Sequence, residues 1–179
     1  MTTLDIVRKK VFSNRKVICT GNPNKAGTIA SAVKDLFPNT TFIHLSNHWD
    51  LTDVDNDVKL TELFAKHNTF INASYVGPGI QSRLLDVCQK SVKFCDVFNI
   101  GSTHEYDGIG TEDYKLSKLN LRDKSLMYNT FRFKTHHIIL GKLGPNGISP
   151  EQVCNLIDWI IKQDFEIPLM TIDQPKAPW

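Results

Sequence analysis

Short apolar runs alternate with helix-patterned segments along almost the whole chain, and this alternation constrains the fold more than any other feature. Val17, Ile18 and Cys19 form an apolar run that closes at Gly21, and a segment with helical spacing follows over 26–37. The pattern repeats with a strand at 41–46, a helix at 54–67 that turns Val58, Leu63 and Phe64 towards a core, and a strand at 69–73. Next come a helix at 80–92, with Leu84, Leu85 and Cys88 at helical spacing, and a strand at 94–100. A helix over 112–131 leads into an apolar strand at 137–141. Ser149-Pro150-Glu151-Gln152 then joins an N-cap serine, a proline at the first helical position and a glutamine three residues after the cap. The helix it starts carries Val153, Leu156, Ile157, Ile160 and Ile161 on one stripe, and a last strand spans 167–172. Parallel neighbours need crossover connections of one hand, so six such strands imply an α/β architecture. The sheet is expected to be doubly wound, six-stranded and mostly parallel, with helices on both faces.

With 179 residues and 41 % apolar content, the chain suits one sizeable core, and no repeat or long linker divides 16–173, which reads as a single domain. Leu4, Ile6, Val7, Val11 and Phe12 fit an amphipathic helix in the N-terminal segment 1–15, and 174–179 is a proline-containing tail ending in Trp179. The 21 basic and 19 acidic residues are scattered rather than gathered into the basic stripe that a phosphate backbone attracts, which argues against a nucleic-acid partner. The first fourteen residues lack the apolar core of a signal peptide, and no run approaches the ~18 apolar residues of a membrane-spanning helix. The expectation is a cytoplasmic protein without a membrane partner. Cys19, Cys88, Cys95 and Cys154 show no CxxC spacing and read as buried free thiols. His136 and His137, adjacent on a strand, point to opposite faces and chelate poorly, so no metal is expected.

In an open α/β sheet, ligands bind beyond the carboxyl ends of the strands. Four such positions carry informative residues. After the first strand, Gly21 permits a tight turn, and Gly27 with Ala30 lets backbone and strand approach closely at a helix N-terminus that favours anions; a plain polar loop explains the same residues. After the second, the stretch from Ser46 through Asn47 and Asp50 to Asp53 offers hydroxyls, amides and carboxylates to an adenosine, while Asp53 serves equally as an N-cap. Asn72-Ala73-Ser74 closes the third strand, where an asparagine either bridges strands and ligand or simply ends the strand. Beyond the fourth, Asn99-Ile100-Gly101-Ser102 precedes Tyr114 and Lys118. Tyrosine and lysine four apart share a helical face, so Lys118 can favour a tyrosinate while Tyr114 exchanges a proton with a substrate oxygen.

In this order and at these strand ends, the four segments resemble those of the short-chain dehydrogenase/reductases over 16–172, and most closely the small members of that family. The resemblance implies a Rossmann-like fold and NAD(P)-dependent hydride transfer between a nicotinamide and a carbonyl or alcohol. Tyr114 would be the general acid/base, Lys118 would lower its pKa and hold the nicotinamide ribose, and Ser102 would steady the substrate oxygen. Gly21, Gly27 and Ala30 would face the dinucleotide phosphates, Asp50 and Leu51 the adenine, and Asn72, Ala73 and Ser74 the adjacent ribose, with Asn22, Asn24, Lys25 and Asn47 also among the cofactor-binding residues. Self-association as a homodimer or homotetramer through 80–92 and 112–131 is implied as well.

The chain departs from the family pattern at four points. Five residues separate Gly21 from Gly27, with Lys25 near a place where glycine is common. Ser102 lies twelve residues before Tyr114, one fewer than usual. The helix at 80–92 has no asparagine, and Gln81 is its nearest polar substitute. Only 142–148 joins the penultimate strand to the last helix, where the family builds its substrate cover, which leaves an open site unless a second subunit or the N-terminal segment closes it. Lys25, and the lack of an acidic residue at Ser46 and Asn47, favour NADP over NAD. The same departures support a second reading, a non-catalytic Rossmann-fold nucleotide-binding or interaction protein.

Overall fold

The computed structural model describes residues 15–107, 110–144, 146–163 and 166–173; the expected N-terminal helix and the tail ending in Trp179 lie outside them. Six strands, β1 (Val17–Thr20), β2 (Thr41–Ile43), β3 (Thr69–Asn72), β4 (Cys95–Ile100), β5 (Phe133–Leu140) and β6 (Leu169–Ile172), form one sheet in the order 2-1-3-4-5-6. Every neighbouring pair is parallel. Helices α1 (Ile29–Leu36), α2 (Asp57–Phe64), α3 (Ile80–Ser91), α5 (Glu112–Tyr128) and α6 (Pro150–Lys162) make the crossovers, and a short α4 (His104–Asp107) follows β4. The chain winds outwards from β1 to β2 and returns to β3 on the other side, so a crevice opens at the carboxyl ends of β1 and β3.

Alternation along the strands sorts the core into two layers. Val17, Cys19, Ile71, Phe98, Ile100, Ile138 and Leu140 pack beneath α1 and α6. Ile18, Ile43, Phe70, Cys95 and Val97 pack beneath α2, α3 and α5. The four cysteines are buried free thiols. Burial pushes Cys19 and Cys95 well above the ordinary thiol range and Cys154 up to about 12, which leaves these three as unreactive fillers.

Two elements differ from the sequence expectation in ways that matter for the core and the sheet. The 54–67 helix is a 3-10 turn, Val54–Asn56, followed by α2. Starting at Asp57, α2 buries Leu60 and Phe64, four apart, and leaves Val58 71 % exposed on the opposite side, so Val58 is not a core residue. Strand β5 begins four residues before its apolar run, because β4 pairs with it from Cys95↔Phe133 onwards. Its polar side chains find partners there: Lys134 reaches Glu166 at 2.9 Å, and His136 Nδ1 lies 2.9 Å from the Ile167 carbonyl. The expected capping box of α6 is present, with Ser149 Oγ accepting from the Gln152 amide and Gln152 Oε1 from the Ser149 amide.

Candidate active site

Lys118 is the centre of the arrangement at the carboxyl end of β4. Thr111 caps α5, its Oγ1 accepting from the Tyr114 amide, and Glu112 and Asp113 favour the helix N-terminus. Tyr114 therefore lies in the first turn and Lys118 one turn further on the same face. The Lys118 ammonium is buried, donating to Gln81 Oε1 at 2.7 Å and to the Ile100 carbonyl at 2.8 Å. It lies 5.5 Å from the centre of the Tyr114 ring and 5.7 Å from that of Tyr75. Burial pulls its pKa down to about 8, with the nearby Glu105 carboxylate acting in the opposite sense. The Tyr114 ring meets the Tyr75 ring edge-on at 4.7 Å and the His104 ring at 5.7 Å.

Gln81 is more than the nearest polar substitute. Its Oε1 receives the ammonium and its Nε2 donates to the Asn72 carbonyl at 2.8 Å. Asn72 Nδ2 donates back to the Gln81 carbonyl at 2.9 Å and across to Asn99 Oδ1 at 3.0 Å, and Asn99 Nδ2 donates to Ser125 Oγ. Asn72 thus bridges β3, β4 and α3 as a buried brace, and its Oδ1 has no hydrogen-bond partner among the described residues. Ser102 is tied to the same end of the sheet through α4: its Oγ accepts from the His104 amide at 3.3 Å, and its own amide donates to Glu105 Oε1 at 3.0 Å. The side chains of Ser102 and Tyr114 are linked through His104, which touches both.

On the other side of the crevice, Thr20 Oγ1 accepts from the amides of Ala73 and Ser74, both at 2.8 Å, and fixes the turn after β3. Gly21 packs into that turn with φ 125°; a Cβ there would lie 2.6 Å from Ser74 Oγ and 2.9 Å from Ala30 Cβ. The close approach expected of Gly27 with Ala30 is made instead by Gly21 with Ala30. Gly27 has φ 71° but open space around its Cα, because the lengthened loop carries it out to the surface. Within that loop, Asn22 Oδ1 accepts from the Asn24 amide and the Asn22 carbonyl from the Lys25 amide, while Asn24 Oδ1 accepts from Lys34 Nζ at 3.2 Å. The Lys25 side chain is exposed. Thr28 and Ser31 form a capping box that sequence reading passed over, although threonine at the end of a loop three residues before serine signals it. The box satisfies the Thr28 and Ser31 amides, and helix geometry leaves those of Ile29 and Ala30 without an intrahelical acceptor.

The adenosine side is less open than expected. Asp50 Oδ1 accepts from the Thr52 hydroxyl at 2.6 Å and the Thr52 amide at 2.9 Å, which holds its carboxyl below the ordinary range. Leu51 turns its side chain into the core and gives its carbonyl to the Arg83 guanidinium, so only its main chain is left to face an adenine. Asn47 is exposed, with Nδ2 3.4 Å from the Phe42 carbonyl. At the opposite end, the 142–148 connection closes on itself: the Lys142 carbonyl accepts from the Ile148 amide at 2.8 Å, and a Cβ at Gly147 would lie 2.0 Å from that carbonyl.

This is the Rossmann-like fold of the short-chain dehydrogenase/reductases. The chain is similar to a short-chain dehydrogenase/reductase, glucose/ribitol dehydrogenase, from Brucella melitensis, at 11 % identity over 88 % of this chain and 94 % of that one, with a TM-score of 0.67. It is similar to a metagenomic short-chain oxidoreductase in complex with NADP, at 12 % identity over 89 % and 96 %, TM-score 0.66. It is also similar to the 3-alpha-hydroxysteroid dehydrogenase from Pseudomonas sp. B-0831 complexed with NADH, at 15 % identity over 87 % and 92 %, TM-score 0.61. No family model matches the sequence and no curated protein matches it, so the likeness is one of fold.

Proposed function

We propose that this chain is an NAD(P)-dependent oxidoreductase of the short-chain type, acting on a carbonyl or alcohol. The observation that carries the reading is the buried Lys118 ammonium beside the Tyr114 ring, at the strand end that also holds Ser102. The residues present fit a nicotinamide dinucleotide. The Ile29 and Ala30 amides at the start of α1 suit its phosphates, with Lys25 at the rim, and the close packing of Gly21 against Ser74 and Ala30 brings backbone together where the strand order reverses. When bound, the nicotinamide supplies or accepts the hydride.

Tyr114 would exchange the proton with the substrate oxygen, and Ser102 would hydrogen-bond that oxygen as charge develops on it. An ammonium has three donors, and Lys118 spends two on Gln81 and Ile100. The third is left for a ribose hydroxyl or the tyrosinate. NADP is the favoured cofactor, since Lys25 suits a 2′-phosphate and no carboxylate stands at 44–48. Leu116, Leu126 and Met127 are exposed on α5, which supports pairing of two copies through this helix. Among the described residues no helix is long and apolar enough to cross a membrane, in keeping with the proposed cytoplasmic location.

The test is titration with NADPH and NADH, followed by nicotinamide fluorescence, on the wild type and on Gly27→Asp. The variant places a carboxylate at the phosphate loop, in a φ region that aspartate tolerates. Saturable wild-type binding that the variant loses is the expected result. Absence of binding by the wild type overturns the reading in favour of the non-catalytic interaction protein.

A further inference from the structure

A buried carboxylate beneath the Ser102 turn has no part in the reaction proposed above. Glu105, on α4, is 4 % exposed, with a fully buried side chain. Its Oε1 accepts from the Ser102 amide at 3.0 Å and lies 3.0 Å from His137 Nε2. Its Oε2 faces Arg122 Nη1 at 3.8 Å. A Cβ at Gly101 would lie 2.4 Å from Glu105 Oε1 and 2.5 Å from His137 Nε2, so the missing side chain at Gly101 is what admits the pair beneath the turn. The turn after β4, helix α5 and strand β5 thus converge on one carboxylate.

Burying a carboxylate costs several kcal/mol unless it is paired, and a neutral side chain would hold the Ser102 amide at less cost. Arg122 faces the carboxylate at 3.8 Å, and a second use for the charge is Lys118, whose ammonium is held by the Ile100 carbonyl next to Gly101, the residue packed on Glu105 Oε1, and is favoured by Glu105 against the effect of burial. Lys118 is otherwise faced by the neutral Gln81 amide from α3, the Ile100 carbonyl from β4, and the Tyr75 and Tyr114 rings. Glu105 in turn is faced by His137 from β5 and Arg122 from α5.

We propose that Glu105 is a positioning residue that clamps the Ser102 turn through its amide and serves as the counter-charge of the buried Lys118 ammonium. Its catalytic meaning rests on the reductase reading, whereas the clamp and the counter-charge are measurable without any cofactor. Two readouts on the full chain separate them: a pH titration of the Lys118 side chain by carbon-13 NMR of labelled lysine, and hydrogen exchange at the Ser102 amide. Glu105→Gln keeps the accepting oxygen and removes the charge. It is expected to leave Ser102 exchange unchanged and to move the Lys118 midpoint to lower pH by roughly one pH unit, a tenfold change in proton affinity.

Glu105→Ala is expected to move Lys118 likewise and to speed Ser102 exchange about tenfold or more, as loss of a hydrogen bond to a charged acceptor requires. A Lys118 midpoint that stays in place in Glu105→Gln overturns the counter-charge. Unchanged Ser102 exchange in Glu105→Ala overturns the clamp; if that variant does not fold, Glu105→Asp, which keeps the charge but has a shorter reach, is read for the same amide and is expected to release Ser102 while leaving the Lys118 midpoint in place. NADPH titration of the same samples keeps the two readings apart, because a wild type that binds no nucleotide yet shows both NMR effects refutes the reductase and leaves the positioning of Ser102 and Lys118 standing.

Discussion

Replacing Gly21 by alanine tests the geometry of the crevice most directly. The added Cβ would sit 2.6 Å from Ser74 Oγ and 2.9 Å from Ala30 Cβ, both inside contact distance, on a backbone with φ 125°. Holding a non-glycine residue in a sparsely populated backbone region costs on the order of 1–3 kcal/mol. Forcing a methyl into a packed space costs a further ~1–3 kcal/mol. Gly21→Ala should therefore destabilise the fold by about 2–6 kcal/mol, which for a chain of this size lowers Tm by roughly 4–24 °C. Urea unfolding followed by circular dichroism measures the first figure and a thermal scan the second. The partition is testable too. Ser74→Ala removes the nearer clashing atom but neither Ala30 nor the backbone strain, so the double variant should recover part of the loss, with a coupling of about 0.5–2 kcal/mol. A Gly21→Ala protein within ~0.5 kcal/mol of wild type would refute the close packing of β1, α1 and the turn after β3. So would strict additivity with Ser74→Ala.

Thr20→Val removes the acceptor shared by the Ala73 and Ser74 amides, and with each unpaired amide costing about 1–3 kcal/mol the loss in denaturant unfolding should exceed that of an ordinary surface threonine several-fold. Lys118 titrates near 8 when folded and near 10.5 when unfolded, so between these values the unfolded chain binds more protons and stability rises with pH. Lys118→Met should abolish this rise, on the order of 3 kcal/mol, and be the more stable protein at pH 7; unfolding curves of both proteins from pH 7 to 10 that run parallel would contradict the burial of the ammonium.

The site was legible where its residues act through local spacing. Tyr114 and Lys118 share a helical face because they are four apart, and Gly21 stands where the first strand must turn. Gln81, Glu105 and His137 were not, because their roles come from contacts across 37 residues for Gln81 with Lys118 and 32 for Glu105 with His137. No local pattern encodes such a contact. A glutamine in the first turn of a helix and a histidine in a strand look the same in sequence whether they hold an active group or fill a surface. Gly27 shows the converse: its place just before α1 marks it as a packing glycine, but the extra loop residues lift it clear of the strand.

The sequence by itself determined the alternation of strands and helices, the two-layered core and the caps of α6, since each follows from periodicity or from side-chain hydrogen bonds within one turn. Tertiary structure alone decided the extent of β5, the exposure of Val58, the burial of Leu51 and the partners of Lys118. Strand pairing carries β5 back through polar residues that no apolar count would include, and the point at which α2 starts selects which of its sides meets the sheet. A buried ammonium takes whatever acceptors the packing brings to it, and here the crossover of α3 brings Gln81 and the end of β4 brings the Ile100 carbonyl.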